Sequence, residues 1–179
     1  LCGSRLLIQR SIYKQFVDAV VNKVSEMKVG DPNDPQVDLG AMISAAHRDK
    51  VETYLTLAKR EGGSIICGGT RPELPIGLAA GAFLRPTVIA DLPIDAKTAT
   101  DEIFGPVLTI YVYDDRWENI CNLVDSTSIY SLTGAIFSED ENIINQGKKI
   151  LTHAAGNFYI NDKPTGAVVG QQPFGGSRA

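Results

Sequence analysis

The stretch Asp101-Glu102-Ile103-Phe104-Gly105-Pro106 stands directly before the apolar run Val107–Tyr113. This run is rich in β-branched and aromatic residues, which predicts a strand. The stretch before it predicts a loop that feeds the strand and presents a carboxylate beside an aromatic ring. The carboxylate could accept hydrogen bonds from a sugar hydroxyl, and the ring could pack on a flat heterocycle. The alternative interpretation is a helix end and a turn with a buried Phe.

Strands and helices alternate on both sides of this loop. Apolar residues at helical spacing predict helices, with Ser11, Ser44 and Ser138 as candidate N-caps. The alternation predicts an α/β domain with a mainly parallel sheet and crossover helices. The predicted strands are 5–9, 64–67, 83–90, 107–113, 133–137 and 157–160, and the predicted helices are 11–27, 44–61, 117–125 and 140–153, with a short helix before residue 101. The predicted buried face of the second helix consists of Val51, Tyr54, Leu55 and Ala58.

Composition excludes several classes of protein. A length of 179 residues is enough for one domain with a hydrophobic core. A formal charge of −4 without a basic stripe argues against a nucleic-acid partner. No apolar run reaches the roughly 18 residues that a membrane span needs.

Cysteine and histidine usage gives no metal site and no disulfide framework. Cys2, Cys67 and Cys121 are far apart and form no C-x-x-C pair, and the two histidines are also distant from each other. Reduced thiols are typical of the cytoplasm or the mitochondrial matrix. Because the sequence starts at Leu1 and not at Met, we expect it to begin inside a longer protein.

The end of the sequence, from Thr165 to Ser177, is rich in glycine. Glycines allow backbone N–H groups to approach a ligand closely, which makes this segment a candidate binding loop. A plain surface loop is the alternative. Neither G-x-G-x-x-G after a strand nor G-x-x-x-x-G-K-[ST] occurs, so no dinucleotide-phosphate motif is predicted.

Three motifs taken together carry a family resemblance. Gly3-Ser4-Arg5, Glu102-Ile-Phe-Gly-Pro and Pro173-Phe-Gly-Gly occur in the order and at about the spacing found in the aldehyde dehydrogenase superfamily. The chain resembles that superfamily over essentially its whole length. The resemblance implies that residues 1–179 form an incomplete catalytic domain, without the Rossmann-like NAD domain and the oligomerisation strand.

Two branches of the superfamily are similar to different parts of the sequence. The segment 156–163 and the run Gly170–Gly176 resemble the 1-pyrroline-5-carboxylate dehydrogenases, which oxidise glutamate semialdehyde to glutamate in proline catabolism. The first third is similar to the muconic semialdehyde dehydrogenases. Since substrate choice in the family follows the C-terminal anchor loop, the resemblance favours the first branch.

The resemblance also implies roles for particular residues. Glu102 would bind the nicotinamide ribose hydroxyls, and Phe104 would contact the nicotinamide end. The implied cofactor is NAD, with NADP left open. The backbone N–H groups of Gly166 and Ala167 would hold the α-carboxylate of the substrate, and Phe174 would close over its aliphatic chain. A small aldehyde substrate and a homo-oligomeric full-length form are implied as well.

The family's reaction uses a cysteine nucleophile and a general-base glutamate. Counting back from Ser4 places the nucleophile just before Leu1, so the resemblance implies no catalytic residue in this chain and no activity for the chain alone. Leu1 stands where the pyrroline-carboxylate branch has Ser, and Ser131 stands where the family usually has Gly. The alternative hypothesis is a naturally truncated, inactive paralogue that acts as a binding or interaction module.

Overall fold

The computed structural model describes residues 3–114, 116–165, 167–168, 170–172 and 175–176. Their contacts divide the chain into two compact units. The N-terminal unit comprises Arg5–Thr98 and Glu102–Val112, and the C-terminal unit comprises the described residues of 1–4, 99–101 and 113–179. The elements are β1 (Arg5–Gln9), α1 (Arg10–Glu26), α2 (Ala45–Arg60), β2 (Ser64–Cys67), β3 (Thr87–Ala90), α3 (Lys97–Thr100), β4 (Val107–Tyr113), α4 (Trp117–Ser126), β5 (Thr133–Ile136), α5 (Glu141–Ile150) and β6 (Asn157–Ile160).

The N-terminal unit contains a four-stranded sheet in the order β1-β4-β3-β2. β3 and β4 are parallel, with Thr87 opposite Val107. β2 and β3 are antiparallel, with Ser64 opposite Ala90. Residues 68–86 connect β2 to β3 without a helix, and a parallel pair requires a crossover connection that is usually helical. The α/β prediction with mainly parallel strands is confirmed, with the β2–β3 pair as an antiparallel exception.

Two hydrophobic clusters hold a helix on each face of this sheet. The adjacent β3 residues Val88 and Ile89 belong to different clusters because successive side chains of a strand point to opposite faces. The α2 cluster contains Val51, Leu55, Ala58, Ile89, Ile103 and Val107, and the α1 cluster contains Ile8, Val17, Val88 and Ile110. Tyr54 is half-buried against the α2 cluster, as its predicted place on the inner face of α2 requires.

The C-terminal unit pairs β5 with β6 in parallel, with Thr133 opposite Asn157. Helices α4 and α5 pack together beside these strands. Their core contains Cys121, Ile136, Leu151 and Ala154. The unit is therefore a second, smaller α/β arrangement with its own core.

The helix starts correct two of the three predicted caps. Ser44 caps α2 and accepts a hydrogen bond from the His47 N–H, as predicted. Ser11 lies inside α1, which begins at Arg10 without a side-chain cap, so that prediction was wrong. Asp140, and not Ser138, caps α5 by accepting from the Asn142 N–H. An ionised carboxylate at this position also interacts favourably with the helix dipole.

Candidate functional site

The loop that feeds β4 alternates buried and exposed side chains. Ile103 is buried in the α2 cluster, with 5% of its surface exposed. The Pro106 carbonyl accepts a hydrogen bond of 2.8 Å from the Thr87 N–H and so joins the loop to β3. Glu102 is exposed, and the Phe104 ring is 75% exposed. The interpretation with a buried Phe does not hold, because burial of Ile103 directs both of its neighbours outward.

Phe104 has an unusual backbone conformation. Its φ is +56°, in the left-handed region that bulky residues seldom adopt. Such a conformation costs on the order of 1–3 kcal/mol and persists only where the surroundings enforce it. Here the Phe104 carbonyl accepts a hydrogen bond of 2.7 Å from Nε2 of His47, in the first turn of α2. The loop is therefore strained at Phe104, and the hydrogen bond from His47 helps to hold it in this conformation.

Gly105 allows this loop to pass against α2. A Cβ at this position would lie 2.7 Å from Cγ2 of Val51, which is fully buried. Only glycine has the space there, so the requirement is steric and does not concern φ. The glycine therefore brings the Glu102–Pro106 loop onto the helix that carries His47.

The Glu102 carboxylate is available to a ligand. Within the part of the chain that the structure describes, no hydrogen bond or ion pair occupies it. An ionised carboxylate accepts hydrogen bonds through two oxygens, which matches a pair of vicinal hydroxyls. An exposed aromatic face two residues away matches a flat ring. The predicted binding residues Glu102 and Phe104 thus lie in one exposed, constrained loop.

The second candidate segment leaves the fold at the end of β6. Asn161 has a φ of +53° and ends the strand. Its N–H donates to the Ile136 carbonyl at 2.8 Å. Its side chain accepts from the Ser138 N–H at 2.8 Å and donates to the Ser138 carbonyl at 2.9 Å. Asn161 therefore ties together the carboxyl ends of two parallel strands, which is where α/β folds place their ligands.

The start of β6 holds the other end of this segment. A Cβ on Gly156 would lie 2.7 Å from both the carbonyl carbon and oxygen of Gly175. A Cβ on Gly176 would lie 2.4 Å from the Gly156 Cα. Two backbones thus cross in direct contact. The Thr133 hydroxyl adds a third attachment by donating to the Pro164 carbonyl.

Between these attachments the described residues form a compact turn. The Val168 carbonyl accepts from the N–H groups of Gln171 and Gln172, and the Val168 N–H donates to the Gln172 side chain. Gly170 has a φ of +85°, which glycine adopts readily. Ala167 is half-buried at the edge of this turn. The other two predicted substrate-binding residues, Gly166 and Phe174, lie outside the described residues.

Sequence reasoning missed three residues that support these segments. His47 carried no local signal, because its partner is 57 residues away. Asn161 did carry one, since Asn is enriched among residues with positive φ. Gly156 was part of a quoted motif, but its contact with Gly175 depends on the fold.

Ser131, which replaces the family's usual glycine, is satisfied by its surroundings. Its buried hydroxyl donates to the Ala154 carbonyl. Its own carbonyl accepts a hydrogen bond of 2.9 Å from the Gly156 N–H. The departure from the family pattern is therefore accommodated, and Ser131 helps to hold the start of β6.

Neither a metal centre nor a membrane segment appears in the described ranges. Those residues contain no group of three or more His, Cys, Asp or Glu side chains placed to hold a metal ion. None of their helices has the length and apolar character needed to cross a bilayer.

Comparison with known proteins identifies the family. A sequence profile described as "Aldehyde dehydrogenase family" matches residues 1–179. The chain therefore belongs to the aldehyde dehydrogenase family. It is 40% identical over 178 residues to the mitochondrial delta-1-pyrroline-5-carboxylate dehydrogenase of Homo sapiens. It is 44% identical over 177 residues to the enzyme of the same name from Dictyostelium discoideum.

Solved structures agree with this assignment. Betaine aldehyde dehydrogenase from Staphylococcus aureus, crystallised in complex with NAD+, superposes with a TM-score of 0.86 at 35% identity. The match covers 98% of this chain and 34% of that chain. The matches to the human and Dictyostelium relatives cover 98% of this chain and 31% of each relative. The chain thus spans about a third of the proteins that it matches.

Proposed function

We propose that residues 1–179 are part of the catalytic domain of an NAD-dependent aldehyde dehydrogenase. The whole enzyme oxidises L-glutamate 5-semialdehyde, the open form of 1-pyrroline-5-carboxylate, to glutamate in proline catabolism. The relatives named above support the substrate, and the NAD+ complex of the structural relative supports the cofactor. The observation that carries the proposal is the strained, exposed loop that presents Glu102 and Phe104 together.

The nucleotide is assigned to that loop. When bound, NAD would supply the hydride acceptor for oxidation of the aldehyde. Glu102 would accept hydrogen bonds from the nicotinamide ribose, and the Phe104 ring would pack at the nicotinamide end. The fit rests on the unoccupied carboxylate of Glu102 and the 75% exposed ring of Phe104. Because the loop is anchored on both sides, its backbone does not have to be ordered when the nucleotide binds.

The substrate is assigned to the segment between Asn161 and Gly175. Backbone N–H groups of Gly166 and Ala167 bind its α-carboxylate, and Phe174 covers its aliphatic chain. Backbone donors in a turn suit an anion because they are already oriented. The attachments at Pro164 and Gly175 support this assignment because they hold both ends of the segment.

The nucleophile is assigned to none of the described cysteines. Burial raises the pKa of the Cys121 thiol to about 11, with a smaller contribution from the nearby Glu118 carboxylate. A raised pKa disfavours the thiolate that attacks an aldehyde. Cys67 is half-buried, with its sulfur 3.3 Å from the Ser25 hydroxyl. Cys2 lies outside the described residues. Because the family resemblance counts back from Ser4 to the position before Leu1, we place the nucleophilic cysteine there, and the general base in a segment outside the 179 residues.

Assembly and compartment complete the proposal. We propose a homo-oligomer, a dimer or a larger assembly, for the full-length form. The exposed apolar side chains of Ile12 and Phe16, one turn apart on α1, are available for such contacts. We propose an intracellular location, in the mitochondrial matrix or the cytoplasm, since both quoted relatives are named as mitochondrial. Sedimentation of the native protein and fractionation of its source cells test these two points.

Substitution of Glu102 tests the nucleotide assignment. The dissociation constant of the full-length protein for NAD+ is measured by calorimetry. Glu102→Gln keeps the shape but removes the charge, so we expect the constant to rise about tenfold, the loss of one charge-assisted hydrogen bond. Glu73→Gln, an exposed carboxylate in the 68–86 connection, is the control and should leave the constant unchanged. An unchanged constant for Glu102→Gln would contradict the assignment.

A further inference from the structure

We propose that His47 is a positioning residue that holds Phe104 in its left-handed conformation and so aims Glu102 and Phe104 at the nucleotide. The nucleotide part of this inference rests on the proposed function. Its starting observation is the 2.7 Å hydrogen bond between the His47 ring and the Phe104 carbonyl. The residues are 57 positions apart, so the fold alone brings them together.

The direction of this hydrogen bond is fixed by its chemistry. A backbone carbonyl only accepts, so Nε2 of His47 donates. Nε2 carries a proton in one neutral tautomer and also in the imidazolium form. His47 therefore acts as the donor to this carbonyl.

His47 belongs to a surface of α2 that supports the loop at two points. Val51 lies one turn after His47, on the same side of the helix. Val51 fills the space beside Gly105, while His47 binds the carbonyl of the preceding residue. The start of α2 is itself fixed by the Ser44 cap, which accepts from the His47 N–H at 3.1 Å. The donor thus stands on a rigid support.

The other contacts of the loop leave this role to His47. Burial of Ile103 fixes the chain before Phe104. Two hydrogen bonds fix it afterwards, from the Thr87 N–H to the Pro106 carbonyl and from the Val107 N–H to the Gly105 carbonyl. None of these contacts involves the Phe104 carbonyl. The position of that carbonyl depends on both φ and ψ of Phe104, so the hydrogen bond that His47 donates to it favours the conformation with positive φ.

The experiment compares three variants of the full-length protein. His47→Leu removes the donor and replaces the ring with an apolar side chain of comparable size. His47→Gln offers an amide donor and tests rescue. Ser44→Ala removes the cap of the same helix without touching the Phe104 carbonyl, and it serves as the matched control. Hydrogen exchange of a peptide covering 101–107 is measured without nucleotide, and then the dissociation constant for NAD+ is measured.

We expect His47→Leu to speed exchange in this peptide about tenfold, the effect of losing one hydrogen bond. The NAD+ dissociation constant should rise about threefold to tenfold, while KM for the semialdehyde stays the same. His47→Gln should recover part of both effects. Ser44→Ala should change both by less than His47→Leu does, because it weakens the start of α2 and its hydrogen bond from the His47 N–H but keeps the ring donor.

Unchanged exchange in His47→Leu would overturn the proposal. Equal effects of His47→Leu and Ser44→Ala would also overturn it, because both would then report general loosening of α2. Faster exchange with an unchanged NAD+ constant would support His47 as the residue that holds the loop, and would contradict the assignment of the nucleotide to Glu102 and Phe104. If His47→Leu fails to fold, His47→Ala, which also lacks the ring donor, takes its place and is judged by the same criteria.

Discussion

Gly105→Ala tests whether packing against α2 holds the Glu102–Pro106 loop. The added Cβ would lie 2.7 Å from Cγ2, 3.0 Å from Cγ1 and 3.4 Å from Cβ of Val51. The first of these distances is shorter than real Cβ atoms show. Either the loop or the helix must therefore move.

Val51 has little freedom to move. It is fully buried, and as a β-branched residue in a helix it has one strongly preferred rotamer. Insertion of a methylene-sized group into a packed core costs about 1–3 kcal/mol. We expect Gly105→Ala to lower the free energy of unfolding by about 2 kcal/mol, the middle of this range. Displacement of the loop should also weaken NAD+ binding.

Urea unfolding of four variants measures the effect and locates its cause. Gly77→Ala is the control, because a Cβ there meets nothing within 4 Å, and its stability should change by less than about 0.5 kcal/mol. Val51→Ala removes the two methyl groups and should cost about 2 kcal/mol by itself. The double variant Gly105→Ala/Val51→Ala should lose at least about 1 kcal/mol less free energy of unfolding than the two single variants lose together, because the new methyl enters the vacated space.

Two outcomes would refute this reasoning. Gly105→Ala could prove as stable as Gly77→Ala, which would mean that the loop does not press on α2. The double variant could instead show simple additivity, which would mean that the cost arises from a neighbour other than Val51. A clear loss of stability with unchanged NAD+ binding would support the packing of Gly105 against Val51 and contradict the assignment of the nucleotide to this loop.

Two further predictions concern the C-terminal unit. Gly156→Ala should lower the free energy of unfolding by about 1–3 kcal/mol, since the Gly175 backbone 2.7 Å from the new Cβ cannot move aside as a side chain could. It should also raise KM for glutamate semialdehyde more than KM for NAD+, and an unchanged substrate KM would contradict the role of Gly156 in holding the loop. Because burial raises the pKa of Cys121 from 9.0 to about 11, the native state keeps a proton that the unfolded thiol loses, so stability should fall as pH rises from about 9 to about 11. Urea midpoints across this pH range should fall less steeply in Cys121→Ala, and parallel slopes would disprove the effect.

Local patterns predicted most of the secondary structure. β1, β2, β4 and β6 have the predicted bounds, because each is a short apolar run between polar or glycine-rich flanks. β3 begins at Thr87 and not at residue 83, since Pro86 has no N–H for a ladder and interrupts the extended run. Cap prediction was less successful, because several side chains near a helix start can compete for the same N–H groups.

The family and the two candidate binding loops were also predicted from the sequence. Glu102 and Phe104 were predicted from a carboxylate and an aromatic beside a strand, and the structure places both in an exposed loop. The glycine-rich segment was predicted from composition, and the roles of its residues remain a proposal. A motif of consecutive residues carries such information because its members share one short piece of backbone.

Only the tertiary structure showed what holds these loops. The hydrogen bond from His47 to the Phe104 carbonyl, the contact of Gly105 with Val51 and the crossing of Gly156 with Gly175 join residues distant in sequence. No local propensity encodes such pairs, since they arise when helices and strands pack and bring unrelated positions within a few ångströms. The sequence by itself determined which groups could meet a ligand, and packing decided how each group is supported and aimed.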